Sequence, residues 1–167
     1  MLLLLLALAL LGTPASWAET MYGLQGEKFF STYVDEDYDI RAVRITTNLL
    51  GQIQSIQVKV GWVWDAVYGT TGWKTQELIL QPEEHITSVQ GQYLLKIWRL
   101  TLCTNHSRCV EFGKAAGKPF SALPTEDGQV LKGIFGFLAS PGFRSIGFRW
   151  GPLLAESLPG PACNSTQ

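Results

Sequence analysis

Few residues in this chain have the types and spacing that chemistry requires. His85 and His106 are its two histidines, and neither belongs to a C-x2–4-C…H-x3–5-H pattern of the kind that binds zinc. No G-x-S-x-G elbow, phosphate-binding loop or dinucleotide fingerprint occurs. Carboxylates are numerous, but no pattern marks a catalytic pair. We therefore predict a protein that is not an enzyme and that uses neither a metal nor a cofactor.

An acidic run at residues 35–39 (DEDYD) is the segment that most resembles a cation site. Carboxylates at alternate positions are the ligands that Ca²⁺ prefers. The run lacks the glycine and the distal glutamate of a calcium-binding helix-loop-helix motif. We interpret it as a solvated loop between strands.

Three cysteines leave room for one intramolecular disulfide. A three-residue turn at residues 105–107 sets Cys103 opposite Cys109 and brings apolar residues opposite one another along the hairpin. A two-residue turn would set Cys103 opposite Val110 and mix the two faces, which the register of a half-buried hairpin disfavours. The pattern predicts a Cys103–Cys109 bridge on the outer face, with Cys163 left over.

The first residues of the chain have the features of a secretory signal. Residues 2–11 are all Leu or Ala, and residues 12–14 (GTP) break the run ahead of the small residues Ser16 and Ala18. The apolar run is much shorter than the ~20 residues needed to cross a bilayer. We expect residues 1–18 to be a cleaved signal peptide, with no membrane span and a secreted, extracellular mature protein.

The composition indicates one domain. The chain has 167 residues, of which 46% are hydrophobic, and a formal net charge of −1. This charge gives no reason to expect a nucleic acid as partner. We assign the domain to residues 19–151 and a flexible tail to residues 152–167, where three prolines disfavour a strand.

Two N-x-[ST] sequons begin at Asn105 and Asn164. In a secreted chain both are candidates for N-glycosylation, since both fall in segments expected to be exposed.

Alternating apolar residues predict strands throughout the chain. In residues 53–62, Ile56, Val58, Val60 and Trp62 share one face, which we expect to point inward. No run of a dozen residues has the 3.6-residue spacing of a helix. The sequence therefore predicts an all-β domain, and the pattern alone leaves a sandwich, a barrel and a prism open.

Two further segments refine this picture. Residues 96–103 predict a strand with Trp98, Leu100 and Leu102 facing in. Residues 55–61 (SIQVKVG) and 145–151 (SIGFRWG) share the pattern S-I-x-apolar-basic-apolar-G. This echo indicates internal pseudo-repetition.

Several segments together resemble the jacalin-related lectins, in particular their secreted mammalian branch of zymogen granules and saliva. The segments are residues 22–31, 55–61, 82–84, 112–114, 120–124, 130–131 and 145–150. The resemblance implies a β-prism I fold, in which three four-stranded antiparallel sheets surround a pseudo-threefold axis. Another β-sandwich or barrel is the alternative. It also implies a sugar site at one end, formed by three loops.

The resemblance places those loops on residues 23–26, 105–108 and 140–144. The corresponding candidate carbohydrate-binding residues are Gly23, Gly26, Arg108, Ser140, Gly142, Phe143 and Arg144. In the first loop, Leu24 and Gln25 stand where sugar-binding members have glycines. In the third loop, Arg144 takes the place of an aspartate that accepts hydrogen bonds from sugar hydroxyls. Arginine has five donors and no acceptor, so it cannot copy that carboxylate.

These observations predict a secreted lectin-like protein of exocrine or mucosal fluid. Its mannose-type site is altered, and we expect it to prefer anionic saccharides, since arginine suits sulfate and carboxylate. The expected partners are glycans or glycoproteins, including sulfated glycosaminoglycans and mucins. The alternative is a lectin fold that has lost sugar binding and acts through protein–protein contacts.

Overall fold

The described part of the chain consists of β-strands and the loops that connect them. The computed structural model describes residues 19–154, and within this range it contains no helix. The strands are β1 (Met21–Gly23), β2 (Lys28–Ser31), β3 (Ile40–Thr47), β4 (Ile53–Val60), β5 (Val63–Trp64), β6 (Tyr68–Gly69), β7 (Lys74–Ile79), β8 (Ile86–Leu94), β9 (Lys96–Thr104), β10 (Cys109–Gly113), β11 (Lys118–Ala122), β12 (Gln129–Leu138) and β13 (Phe143–Pro152). The predicted signal peptide, Cys163, Asn164 and residues 155–167 of the tail lie outside the described residues.

The strands form three antiparallel sheets. Sheet A has the order β1-β13-β12-β2, and sheet C has the order β10-β9-β8-β11. Sheet B has the order β5-β4-β3-β7, and β6 also pairs with β4. Its outer strand is thus divided into two short pieces, so sheet B counts five strands. The predicted all-β prism with three sheets is confirmed.

One local motif occurs once in each sheet. Its three copies are Tyr22-Gly23, Tyr68-Gly69 and Phe112-Gly113, which close the edge strands β1, β6 and β10. Each glycine has a positive φ, of 115°, 105° and 83° respectively. A Cβ on these glycines would lie 2.4, 2.1 and 2.0 Å from a backbone carbonyl oxygen of the neighbouring strand. Only glycine allows this approach, and its repetition is the clearest sign of the pseudo-threefold axis.

The core lies between the inner faces of the three sheets. Ile45, Ile56, Leu100, Leu102 and Ile146 are each no more than 1% exposed and belong to one contiguous apolar cluster. The alternation of apolar residues in the sequence therefore predicted correctly which side chains of these strands face the core.

The β9–β10 hairpin confirms the predicted register. Cys103 pairs with Cys109 and Leu102 pairs with Val110. The Thr104 N–H donates to the Arg108 carbonyl oxygen at 2.8 Å, which closes the three-residue turn. The Cys103–Cys109 disulfide is present, as predicted from this register.

Two tryptophans differ from their predicted orientation. Trp62 is 86% exposed, because β4 ends at Val60 and the chain turns before the alternation reaches it. Trp98 is half-buried, because the register of β8 against β9 shifts between Gln92 and Tyr93 and Ile97 is buried in its stead. The inward orientation predicted for both side chains is therefore wrong.

Residues 19–154 contain no helix long and apolar enough to cross a membrane.

The glycine motif leads to a stability prediction. Replacing Gly113 with Ala sets a Cβ against the Trp98 carbonyl oxygen, so we expect the free energy of unfolding to fall by at least about 3 kcal/mol. Gly128→Ala is the matched control, since Gly128 also has a positive φ, of 80°, but no atom within 4 Å of the added Cβ. Its cost should be about 1 kcal/mol. Urea unfolding followed by tryptophan fluorescence measures both, and equal losses would contradict the steric argument.

Candidate functional site

Two loops meet where the predicted sugar site lies. The Leu24 N–H donates to the Arg144 carbonyl oxygen at 3.1 Å, directly after the positive-φ residue Gly23. A Cβ on Gly26 would lie 2.7 Å from Phe137 Cβ and 3.4 Å from Arg144 Cγ. Both glycines of the first loop are therefore needed for its close contact with the third loop.

The third loop is a tight turn between β12 and β13. The Ala139 N–H donates to the Gly142 carbonyl oxygen at 2.8 Å, and Ser140 is exposed at the tip. Gly142 is buried, with its N–H 3.3 Å from Thr70 Oγ1. Phe143 is fully buried, and its ring lies 5.1 Å from that of Phe30. Its side chain therefore anchors the turn in the core and does not face a ligand.

Arg144 is the exposed charged residue of this turn. Its guanidinium forms no hydrogen bond or ion pair with any of residues 19–154. Its backbone carbonyl oxygen accepts the hydrogen bond from the Leu24 N–H. The five donors of Arg144 are therefore unpaired within residues 19–154, at the position where the resemblance to lectins implies an acceptor.

Arg108 lies at the opposite end of the prism. A Cβ on Gly142 would lie 2.9 Å from the Ile53 carbonyl oxygen, whereas Arg108 Nη2 donates to the Ile79 carbonyl oxygen at 2.8 Å. Ile53 and Ile79 pair with opposite ends of β3. The expectation that Arg108 and Arg144 lie on neighbouring loops is wrong.

The topology of sheet C explains this error. β9 runs from Lys96 to Thr104, and the β9–β10 turn carrying Arg108 follows its far end. The turn of sheet C that reaches the Arg144 end joins β8 to β9 at Leu95, which has a φ of 60°. The turn of sheet C that lies at the same end as Arg144 is therefore the one at Leu95, whereas the resemblance placed the second loop on the other hairpin.

Arg108 forms a bidentate ion pair with a buried carboxylate. Its Nη2 lies 2.6 Å from Glu84 Oε1, and its Nε donates to Oε2 at 3.0 Å. Glu84 is 0% exposed and also accepts hydrogen bonds from Thr104 Oγ1 and from the Gln81 N–H. Chiefly through the Arg108 hydrogen bonds, the pKa of Glu84 falls from 4.5 to about 2, against the opposing effect of burial. This ion pair joins the turn before β8 to the turn between β9 and β10. The Arg108 guanidinium therefore stabilises the fold.

Asn105 lies at this same end. Its Oδ1 accepts a hydrogen bond from the His85 N–H at 2.7 Å, and its Nδ2 donates to the Glu83 carbonyl oxygen at 3.0 Å. A glycan on Asn105 would therefore stand at the end of the prism opposite Arg144. Whether Asn105 is glycosylated stays a prediction.

A cluster of cations surrounds the end that carries Arg144, and sequence reasoning missed it. Lys28 pairs with Leu138, Lys74 with Thr47, and Lys118 with Tyr93, and each is the last residue pair between its two strands. The cations that share this end, which we call the basic end, are Lys28, Lys74, Lys96, Lys114, Lys118 and Arg144. None of them forms an ion pair within residues 19–154. The acidic residues we place near this end are Glu27 and Glu111, and Glu111 pairs with Arg99 at 3.5 Å.

A family model and several related proteins resemble this chain over most of its length. The model of the jacalin-like lectin domain matches residues 20–149. The chain is 30% identical to the mouse prostatic spermine-binding protein over 157 residues, which are 93% of this chain and 78% of the relative. It is 35% identical to the mouse zymogen granule membrane protein 16 over 130 residues, or 77% of each chain. It spans about half, 53%, of the rat spermine-binding protein.

Solved structures agree with the fold. The crystal structure of a prostate-specific WGA16 glycoprotein lectin superposes with a TM-score of 0.72 and 39% sequence identity. The superposition covers 80% of this chain and 99% of that lectin.

The Glu84–Arg108 pair generates a pH prediction. We expect Glu84→Gln to lower the free energy of unfolding at pH 7 by about 2–3 kcal/mol, because it weakens a buried charged pair. A carboxyl with a lowered pKa stabilises the fold above its unfolded value near 4.5 and loses that effect as the pH falls through about 2. The difference from wild type should therefore shrink between these pH values, as followed by urea unfolding.

A surface pair provides the control. Glu77 forms a comparable ion pair with Arg44 at 2.6 Å, but both side chains are about one-third exposed, 35% and 33%. Glu77→Gln should cost less than about 1 kcal/mol. A cost as large as that of Glu84→Gln would contradict the role assigned to burial.

Proposed function

The chain belongs to the family of jacalin-like lectin domains, and on that basis we propose that it is a secreted, non-enzymatic carbohydrate-binding protein whose altered sugar site prefers sulfated or otherwise anionic glycans. Glycans and glycoproteins are its proposed partners, with sulfated glycosaminoglycans and mucins foremost. The names of two relatives, a zymogen granule membrane protein and a prostatic spermine-binding protein, support a secretory setting. Its structural neighbour is itself named a glycoprotein lectin.

The observation that carries the proposal is that the cations of the basic end form no ion pair within residues 19–154. Six cations that have no ion pair within the described part of the chain share one end of a molecule whose net charge is only −1. A sulfated polysaccharide presents anions in series, so it can engage several of these side chains at once. Arg144 adds bidentate geometry for a single sulfate or carboxylate.

The change of charge also argues against two other ligands. A neutral mannoside needs an acceptor for its hydroxyls, and Arg144 supplies donors only. A polyamine such as the one in the name of the prostatic relatives would be repelled by the same cations. We therefore assign neither ligand to the basic end.

A second candidate function, protein–protein contact, rests on a different observation. Exposed apolar side chains also stand at the basic end, among them Leu24, Leu49, Leu50, Leu94 and Leu95, which are 40–75% exposed. Leucines next to cations suit an apolar, acidic protein surface. Binding to a mucin that survives enzymatic removal of its glycans would favour this candidate over the lectin.

Heparin chromatography tests the proposed glycan preference. We expect the protein to bind immobilised heparin and to elute as NaCl is raised, because exposed charge pairs are screened within a Debye length of about 8 Å at physiological ionic strength. Arg144→Asp and the double variant Lys74→Gln/Lys114→Gln should each elute at clearly lower salt. Arg144→Asp also returns an acceptor to the third loop, so weak mannose binding is expected to appear unless Leu24 and Gln25 block entry.

The matched control is Arg41→Gln, which removes one cation near the Ile79 end of the prism. Its elution should match wild type. Heparin retention that is unchanged in all basic-end variants would show that the proposed site is not there.

A further inference from the structure

A cavity opens at the end of the prism opposite Arg144. Its volume is about 990 Å³, and its lining includes Trp62, Trp64, Asp37, Glu83 and Lys59. This volume is at the upper limit of typical small-ligand pockets. The jacalin-type site does not reach it, because the two lie at opposite ends of β3.

Trp62 stands at the mouth of this cavity on a fixed turn. The side chain is 86% exposed and forms no ring contact or hydrogen bond with any other residue in 19–154. The turn beneath it is ordered by pairing of Val60 with Val63 and by the Gly61 N–H, which donates to the Asp39 carbonyl oxygen at 3.0 Å. The exposure of the indole is therefore imposed by a defined turn, and its face is available to a ligand.

Trp64 forms a different part of the wall, and its ring is already committed. The Arg44 guanidinium lies 4.0 Å from the ring centroid, and the Lys59 ammonium lies 6.0 Å from it. Arg44 is held in turn by Glu77 at 2.6 Å. These contacts fix Trp64 in place, whereas the Trp62 ring has no such contact with residues 19–154.

The polar groups of the lining carry both signs of charge. Asp37, Asp39 and Glu83 contribute carboxylates, while Arg41 and Lys59 contribute cations. Asp39 is neutralised by an ion pair with Lys132. Two carboxylates and two cations then remain. The carboxylates would repel a polyanion, and the cations would repel a polyamine.

We propose that this cavity is a second ligand site and that it binds a neutral saccharide, with one sugar ring lying on the face of Trp62. Sugar hydroxyls both donate and accept, so they match a lining that offers carboxylates beside ammonium and guanidinium groups. An aromatic face with a few convergent polar groups is the usual composition of a small-ligand site. The two ends of the prism would then differ in specificity, anionic at Arg144 and neutral at Trp62.

An array of neutral and sulfated glycans probed with the full secreted chain tests this site. At least one glycan without sulfate, sialic acid or uronic acid should bind, and Trp62→Ala should weaken it by at least tenfold. Trp73→Ala is the matched control, since Trp73 is 75% exposed but lies at the basic end, beside Lys74. It should leave binding of the neutral glycan unaffected, and Arg144→Asp should not weaken that binding.

Titration calorimetry with the soluble form of the strongest neutral glycan gives the affinities. Heparin binding should be unchanged in Trp62→Ala, so a failure of this site is distinguishable from a failure of the basic end. The proposal is overturned if no neutral glycan binds wild type, if Trp62→Ala binds as well as wild type, or if Arg144→Asp abolishes the neutral signal. Equal loss in Trp62→Ala and Trp73→Ala would overturn it too.

Discussion

The close approach of a glycine to a backbone carbonyl oxygen, made once in each sheet, is the constraint on which the rest of this structure depends. Gly23, Gly69 and Gly113 each bring an edge strand within a distance that no side chain permits. The chain then leaves each edge at a fixed angle and forms the loops of the basic end. In sheet A this places Leu24 against the Arg144 backbone. The position of the candidate site therefore depends on the absence of a Cβ atom at these three glycines.

Electrostatics then divide the prism into two dissimilar ends. At one end Glu84 is buried, and Arg108, Thr104 and a backbone N–H satisfy it, so the local charges serve the fold. At the other end the cations have no such partners among residues 19–154. A buried carboxylate must be paired, whereas a solvated lysine need not be. Charges that the fold does not need are the ones available to a ligand.

Much of this was accessible from the sequence, and the parts that failed have physical reasons. Alternation gave the buried faces of the strands, and pairing of apolar residues across a turn gave the Cys103–Cys109 register. Trp62 was placed inward because a period of two does not reveal where a strand ends, although Gly61 marks that point. Arg108 was placed at the wrong end because local pattern does not say which hairpin of a sheet reaches which end. The repeated aromatic-Gly pairs carried that information.

The separation of charge between the two ends makes the molecule an electric dipole. Its sequence pI of about 6.1 describes the sum of the charges and hides their arrangement. In the field of a negatively charged layer, such a molecule should rotate so that Arg144 and the neighbouring lysines face the layer while Trp62 points away. Adsorption would then present every copy in the same orientation, with one end held and the other open to the surrounding fluid. An averaged quantity such as net charge would give no hint of that behaviour.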